Sequence, residues 1–233
     1  MGRMKTLRLA CGAWLAVLLC APGIVAAQSP GTGGELPAAI PIFPLQDATL
    51  FPNASYPFYI FEPRYRAMVA DALKGDRIIG MVMLQPGHEA EYEGRPPIFP
   101  IGCAGLITAY EELPGGEYNI VLRGMAKFRV TGEDSSRPYR LARVVAVPED
   151  MNAQDTVALS KERQRIDTLL MALSDRFGVE RPPPGVTDAQ IVDQLAQHLP
   201  MDRLDRQRLL EREDPLSRAR PIIEVLEQII NAP

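Results

Sequence analysis

The hydrophobic pattern of this chain changes period once, near Pro148. Before that point apolar residues fall at every second position in short runs, and after it they recur every third or fourth. The clearest run lies between Gly102 and Val130. Ala104, Leu106, Thr108 and Tyr110 alternate there with Gly105, Ile107, Ala109 and Glu111, and Tyr118, Ile120 and Leu122 alternate with Asn119, Val121 and Arg123. Period two predicts two strands, and Leu113-Pro114-Gly115-Gly116-Glu117 between them supplies the glycines a tight reversal requires. Gly124 offers a second bend, which predicts a third strand over Lys127–Val130 and so a three-strand meander. Further strands are expected at Ile40–Leu45, Tyr56–Ile60, Ile78–Leu84, Ile98–Ile101 and Tyr139–Val147. One helix interrupts them near Pro63–Lys74, with Pro63 at a first helical position and Gly75 as its stop. Gln85–Pro97 reads as a surface loop. Strands this numerous and short predict a barrel-like or sandwich-like sheet.

After Pro148 the spacing is helical. Ile166, Leu169, Leu170, Leu173 and Phe177 form one stripe on a long helix, ended by Gly178 and the prolines Pro182–Pro184. Thr187 with Gln190 is a capping box for a second helix carrying Ile191, Leu195 and Leu199. Asp202 caps a third with Leu204, Leu209 and Leu210, and Asp214-Pro215 starts a fourth with Leu216, Ala219, Ile223, Leu226 and Ile230. Four amphipathic helices with short connections predict a bundle.

The first residues are read as a targeting segment rather than as part of the fold. Arg3, Lys5 and Arg8 form a basic start, and Leu9–Ala21 is an apolar run shorter than the ~20 residues a spanning helix needs. Val25-Ala26-Ala27 offers small residues for cleavage after Ala27, which predicts a periplasmic or secreted mature chain; a retained anchor is the alternative. Removing residues 1–27 removes three bases and no acids, so the formal charge of −4 becomes −7. An acidic chain without a basic cluster excludes nucleic acid as the expected partner, and membranes beyond the targeting segment likewise. Cys103 is the one cysteine left in the mature chain, so no internal disulfide forms, and a small buried strand residue is expected there. The expected organisation is a targeting segment over 1–27, a flexible leader over 28–35, a strand-rich lobe over 36–148 and a helical lobe over 149–233.

The ordered series PIFPL (41–45), LFP (50–52), FEPRYRAMV (61–69), IIGMVML (78–84), GCAGLI (102–107), LPGGEYNI (113–120), GMAKFRV (124–130) and YRLARV (139–144) resembles the N-terminal, substrate-binding domain of the Lon protease family. The resemblance runs from about Leu36 to Ile230. It implies an α+β fold, with a β-rich, barrel-like (PUA-like) lobe carrying one helix and then a four-helix bundle lobe. It also implies a stand-alone, non-catalytic module that engages polypeptides and leaves the chemistry to other domains.

No catalytic, cofactor-binding or metal-binding constellation is expected from the residues themselves. No glycine-rich phosphate loop ending in Gly-Lys-Ser/Thr occurs. Lys74, Lys127 and Lys161 lie in segments unlike a serine–lysine peptidase site, and His88 and His198 stand far apart without spaced partners. What the sequence offers is a concentration of aromatics in a chain with 6% of them. Phe51, Tyr56, Phe58, Tyr59, Phe61 and Tyr65, joined by Arg64 and Arg66, are the candidate peptide-binding residues. Core packing is the competing assignment for each aromatic, and a solvated helix face for each arginine. Alternation sends Tyr56 and Phe58 to one side and Tyr59 and Phe61 to the other. Two partner classes follow: unfolded or apolar polypeptide segments, or one specific folded protein such as a separate protease, for which the chain serves as scaffold. The oligomeric state is left open.

Overall fold

The structure is a computed structural model that describes residues 36–88, 91, 92, 94–178 and 182–231; the targeting segment and leader expected over 1–35 lie outside the described residues. Six strands, β1 (Ala39–Leu45), β2 (Ser55–Ile60), β3 (Ile78–Met83), β4 (Ile101–Glu112), β5 (Tyr118–Asp134) and β6 (Arg140–Val147), build one lobe with helix α1 (Pro63–Lys74). Helices α2 (Ala153–Phe177), α3 (Asp188–His198), α4 (Arg203–Leu210) and α5 (Pro215–Asn231) build the other. The fold is α+β.

The sheet order is β2-β5-β4-β3-β1-β6, and β6 pairs again with β5. Among the described residues only β1 and β3 pair in parallel, the chain crossing between them through β2 and α1. Hydrogen bonding therefore links β5, β4, β3, β1 and β6 in a ring. Register shifts between Ala104 and Gly105, Ile107 and Ala109, and Val130 and Gly132 break its symmetry, so it is not a regular closed barrel. The ring is filled by Phe128 among Ile40, Ile42, Val82, Ala104, Ala142 and Val144. Its ring fits because Gly80 and Gly102 lack side chains: a Cβ on either would lie 2.7 or 2.8 Å from the Phe128 Cζ.

One edge of β5 pairs with β4 over Tyr118–Arg129, while the other is shared, β2 taking Tyr118–Arg123 and β6 taking Lys127–Asp134. The expected meander is thus a hairpin of two long strands: no turn interrupts the chain at Gly124, and β5 runs through it with a register shift against β4 between Gly124 and Ala126. Gly124 serves a close approach instead. The β1–β2 loop enters the gap between β2 and β6, where the Asn53 N–H donates to the Gly124 carbonyl (3.0 Å) and the Gly124 N–H to the Ala54 carbonyl (2.8 Å). A Cβ at 124 would stand 1.9 Å from the Phe51 carbonyl oxygen, so only glycine fits.

The helical lobe forms where caps and stripes agree. Asn152 caps α2 through a capping box with Asp155, Thr187 caps α3 through one with Gln190, and Asp202 caps α4 by accepting from the Leu204 N–H. The buried stripe of α2 includes Leu159, Ile166, Leu170 and Leu173. The Phe177 side chain, expected to continue it, lies outside what the structure describes. On α5, Ala219, Ile222, Ile223 and Leu226 are buried.

The lobes meet through buried polar groups. The Gln197 side chain accepts from the Phe51 N–H (3.0 Å) and donates to the Thr49 carbonyl (2.9 Å), reading the β1–β2 loop as a strand would. Gln207 donates to the Ile101 carbonyl at 3.1 Å. Beside them lies an ionic cluster: Lys127 pairs with Glu149 (2.8 Å), and Arg218 with both Glu149 and Asp193, the latter at 2.6 Å. Asn53 Nδ2 donates to Asp193 at 2.8 Å, and the Lys127 Nζ also donates to the Arg212 and Glu213 carbonyls. Burial pushes the Asp193 carboxyl up to about 6, although Arg218 and Asn53 act in the opposite direction. Two cations and two carboxylates balance.

Candidate functional site

Strand β2 forms the end of the sheet order, and its pairing with β5 fixes which way each side chain points. Tyr56, Phe58 and Ile60 stand opposite Leu122, Ile120 and Tyr118, and this row faces inward. Pro57 and Tyr59 stand opposite Val121 and Asn119, which in turn pair with Ala109 and Glu111 of β4. That row faces out. The alternation expected from sequence is the one observed.

The inward aromatics run from surface to core. Tyr56 meets Phe58 at 4.9 Å between ring centroids, Phe58 meets Phe43 at 5.6 Å, and Phe43 meets Tyr65 at 4.5 Å. Phe58 is half-buried and Tyr65 is buried, its phenol held up in pKa by burial first and then by Tyr92. Phe51 is fully buried in the β1–β2 loop, where Gln197 fixes its backbone. Phe51 and Tyr65 therefore leave the candidate contact set and belong to the core, because a loop inserted into the sheet and a helix laid over it both turn an aromatic inward.

The two arginines are engaged. The Arg64 guanidinium lies over the Tyr65 and Tyr92 rings at 4.6 and 4.7 Å, and it bonds to Glu62 and to the Tyr92 carbonyl. Arg66 is half-buried and covers the hairpin turn so closely that a Cβ on Gly116 would stand 2.3 Å from its Nη2.

On the outer face the picture is different. Tyr59 and Phe61 are 56% and 59% exposed and stack on each other at 5.8 Å with their planes 29° apart. Tyr59 and Pro57 line a shallow groove of about 430 Å³, and Phe61 lies beyond it, stacked on Tyr59. Val121 and Ala109 floor the groove, and Asn119 and Glu111 close one end, the Asn119 amide donating to the Glu111 carboxylate at 3.0 Å. Tyr110, at the rim, is half exposed. Sequence reasoning found the aromatic pair and missed the floor. The signal was present: once Tyr118, Ile120 and Leu122 face in, Asn119, Val121 and Arg123 must face out beside whatever strand pairs with β5.

Two exposed stacked aromatics beside small residues offer apolar contact area and stacking surfaces, and this is chemistry for holding a chain. Cys103 is buried and its thiol is pushed up by burial, which is the opposite of a reactive nucleophile. Among the described residues no three His, Cys, Asp or Glu side chains come together as metal ligands.

The family model of the ATP-dependent protease La (LON) substrate-binding domain matches residues 39–228, and the chain belongs to that family. It is 26% identical over 200 residues to Lon protease 2 of Myxococcus xanthus, covering 83% of this chain and 24% of that protein. It is 25% identical over 210 residues to the Lon protease of Cytophaga hutchinsonii, covering 84% of this chain and 25% of that one. The chain thus spans about a quarter of the length of these relatives. The N-terminal domain of the Mycobacterium avium complex Lon protease has the same fold, with a TM-score of 0.58 at 18% identity, over 81% of this chain and 98% of that one. So does the Lon N-terminal domain protein from Xanthomonas campestris, with a TM-score of 0.54 at 20% identity, over 80% and 97%.

Proposed function

We propose that the outer face of β2, β5 and β4 binds unfolded or apolar polypeptide segments, and that the chain does so outside the cytoplasm without breaking bonds itself. The observation that carries this reading is the exposed stacked pair Tyr59 and Phe61, of which Tyr59 lines the groove. Membership of a substrate-binding family supports the class of ligand. The basic start, short apolar run and Val25-Ala26-Ala27 support export, with the cut after Ala27.

Titration of the folded protein with labelled unfolded clients tests the site. Replacing Tyr59 and Phe61 together by serine is expected to weaken binding by roughly tenfold or more, since each aromatic anchor contributes about 1 kcal/mol or more. The melting temperature should hold, because both side chains are exposed. Unchanged affinity overturns the assignment. A pull-down that returns one folded protein at one-to-one stoichiometry, in place of many unfolded segments, identifies a scaffold docking that partner instead. Export is tested by the mass of the protein recovered outside the cytoplasm: the product should begin at Gln28 and lack Trp14, the one tryptophan.

A further inference from the structure

The outer face carries opposite charges at its two ends: Glu111 lines the groove, and Arg123 lies on the same face of β5, two positions beyond Val121. Along β5 the outward residues are Asn119, Val121 and Arg123. Glu111 stands opposite Asn119 and is held by its amide; Arg123 stands opposite Ser55 at the other end. Glu111 and Arg123 are both exposed, and among the described residues neither enters an ion pair. Four strand positions separate the Asn119–Glu111 row from Arg123, about 13–14 Å at the ~3.4 Å rise of an antiparallel strand. Between the ends lies the apolar row of Pro57, Val121 and Ala109.

An extended ligand has the same period as the strands beneath it. Its residues i, i+2 and i+4 face one side with the spacing of the groove. Pairing along the free edge of β2 is hindered, because Pro57 has no N–H to give and edge prolines blunt strand addition. Side-chain contact with the sheet face is left to select the ligand.

Resting on the polypeptide-binding reading above, we propose that the groove selects an extended client segment whose central aromatic or branched apolar residue is flanked, two positions away on each side, by opposite charges. The acidic residue meets Arg123 and the basic one meets Glu111. The face thus discriminates among apolar segments by the sign of their flanking charges.

Fluorescence anisotropy with four labelled peptides tests this. All carry a central phenylalanine, and the positions two residues away hold Glu and Lys, Glu and Glu, Lys and Lys, or Ser and Ser. The wild-type protein should bind the mixed peptide best, by about two- to fivefold per matched charge, as expected for exposed pairs. High salt should remove the advantage. R123E should shift preference to the Lys–Lys peptide and E111K to the Glu–Glu peptide, while the doubly reversed variant regains the mixed preference. Both positions are exposed, so melting temperatures should stay within a degree or two, and R123Q and E111Q give milder controls. Equal affinity for all four peptides, or charge reversals that change all four alike, overturns the selection rule and leaves the binding site standing. Binding of none of them overturns both. Self-association of the wild type that R123E abolishes in sedimentation assigns the face to a second copy of the chain and overturns the proposal.

Discussion

Replacing Arg218 by methionine removes one cation from a four-charge cluster sealed between the lobes. The side chains of Arg218 and Asp193 are 0% exposed and that of Lys127 is 1% exposed. After the substitution Lys127 still holds Glu149 at 2.8 Å, but Asp193 keeps only the Asn53 amide at 2.8 Å. A buried carboxylate is left without a counter-charge. Losing one member of a buried pair costs about 3–5 kcal/mol. At about 2–4 °C per kcal/mol for a chain of this size, the melting temperature should fall by roughly 6–20 °C. The loss should depend on pH, with a definite sign. Burial sets the folded-state pKa of Asp193 at about 6, above its ordinary 3.8, and loss of Arg218 raises it further. A carboxyl with a raised folded-state pKa contributes its full stability below the unfolded value and loses it as pH rises through the folded one. The variant should therefore be hurt more at pH 8 than at pH 5. Urea unfolding at both pH values, with unchanged m-values, measures this. Adding D193N neutralises the orphan and should recover much of the loss at pH 8. A cost below about 1 kcal/mol, equal at both pH values and indifferent to D193N, refutes the argument.

Three further outcomes follow from the packing. Gly124→Ala should cost about 2–3 kcal/mol by chemical denaturation and should lower hydrogen-exchange protection at Asn53, because the new methyl meets backbone at Phe51 on one side and the β4 ladder holds the strand on the other. Asn152→Ala removes both bonds its side chain accepts, from the Gln154 and Asp155 N–H groups, and should cost about 1 kcal/mol in thermal unfolding while leaving the strand lobe unchanged. Cys103 should resist thiol reagents in the folded protein, with labelling that accelerates in urea along the unfolding curve; rapid labelling in buffer would contradict its burial.

Most of the fold was legible because local signals agree with the tertiary structure. Period two marks the Tyr118–Arg123 part of β5, a continuous apolar run marks β3, Pro63 marks the start of α1, and Thr187 and Asp202 mark helix starts that the structure reproduces bond for bond. Gly124 shows where local reading fails. A glycine between two strand-like runs is the signature of a turn, yet here it answers to a loop more than seventy positions upstream, which no local window contains. The ionic joint failed for a related reason. Lys127 lies beside Phe128 with both buried, so alternation is lost, and Asp193 and Arg218 look like ordinary polar helix positions until the lobes meet. At the site, parity along β2 separated Tyr59 and Phe61 from Tyr56 and Phe58. It was silent on Phe51 and Tyr65, because burial of a loop residue and of a first-turn helix residue depends on what the rest of the chain lays over them.

The ring of strands also constrains the order in which the molecule can be made. Strand β1 is flanked by β3 on one side and by β6 on the other, so Ile42 must wait for Gly80 and then for Arg140. At translation rates of about 5–20 residues per second, Arg140 leaves the ribosome on the order of 5–20 s after Ile42. Throughout that interval the nascent strand has an open seam and no closed interior. Late closure keeps the chain threadable for that interval, in keeping with the export proposed above.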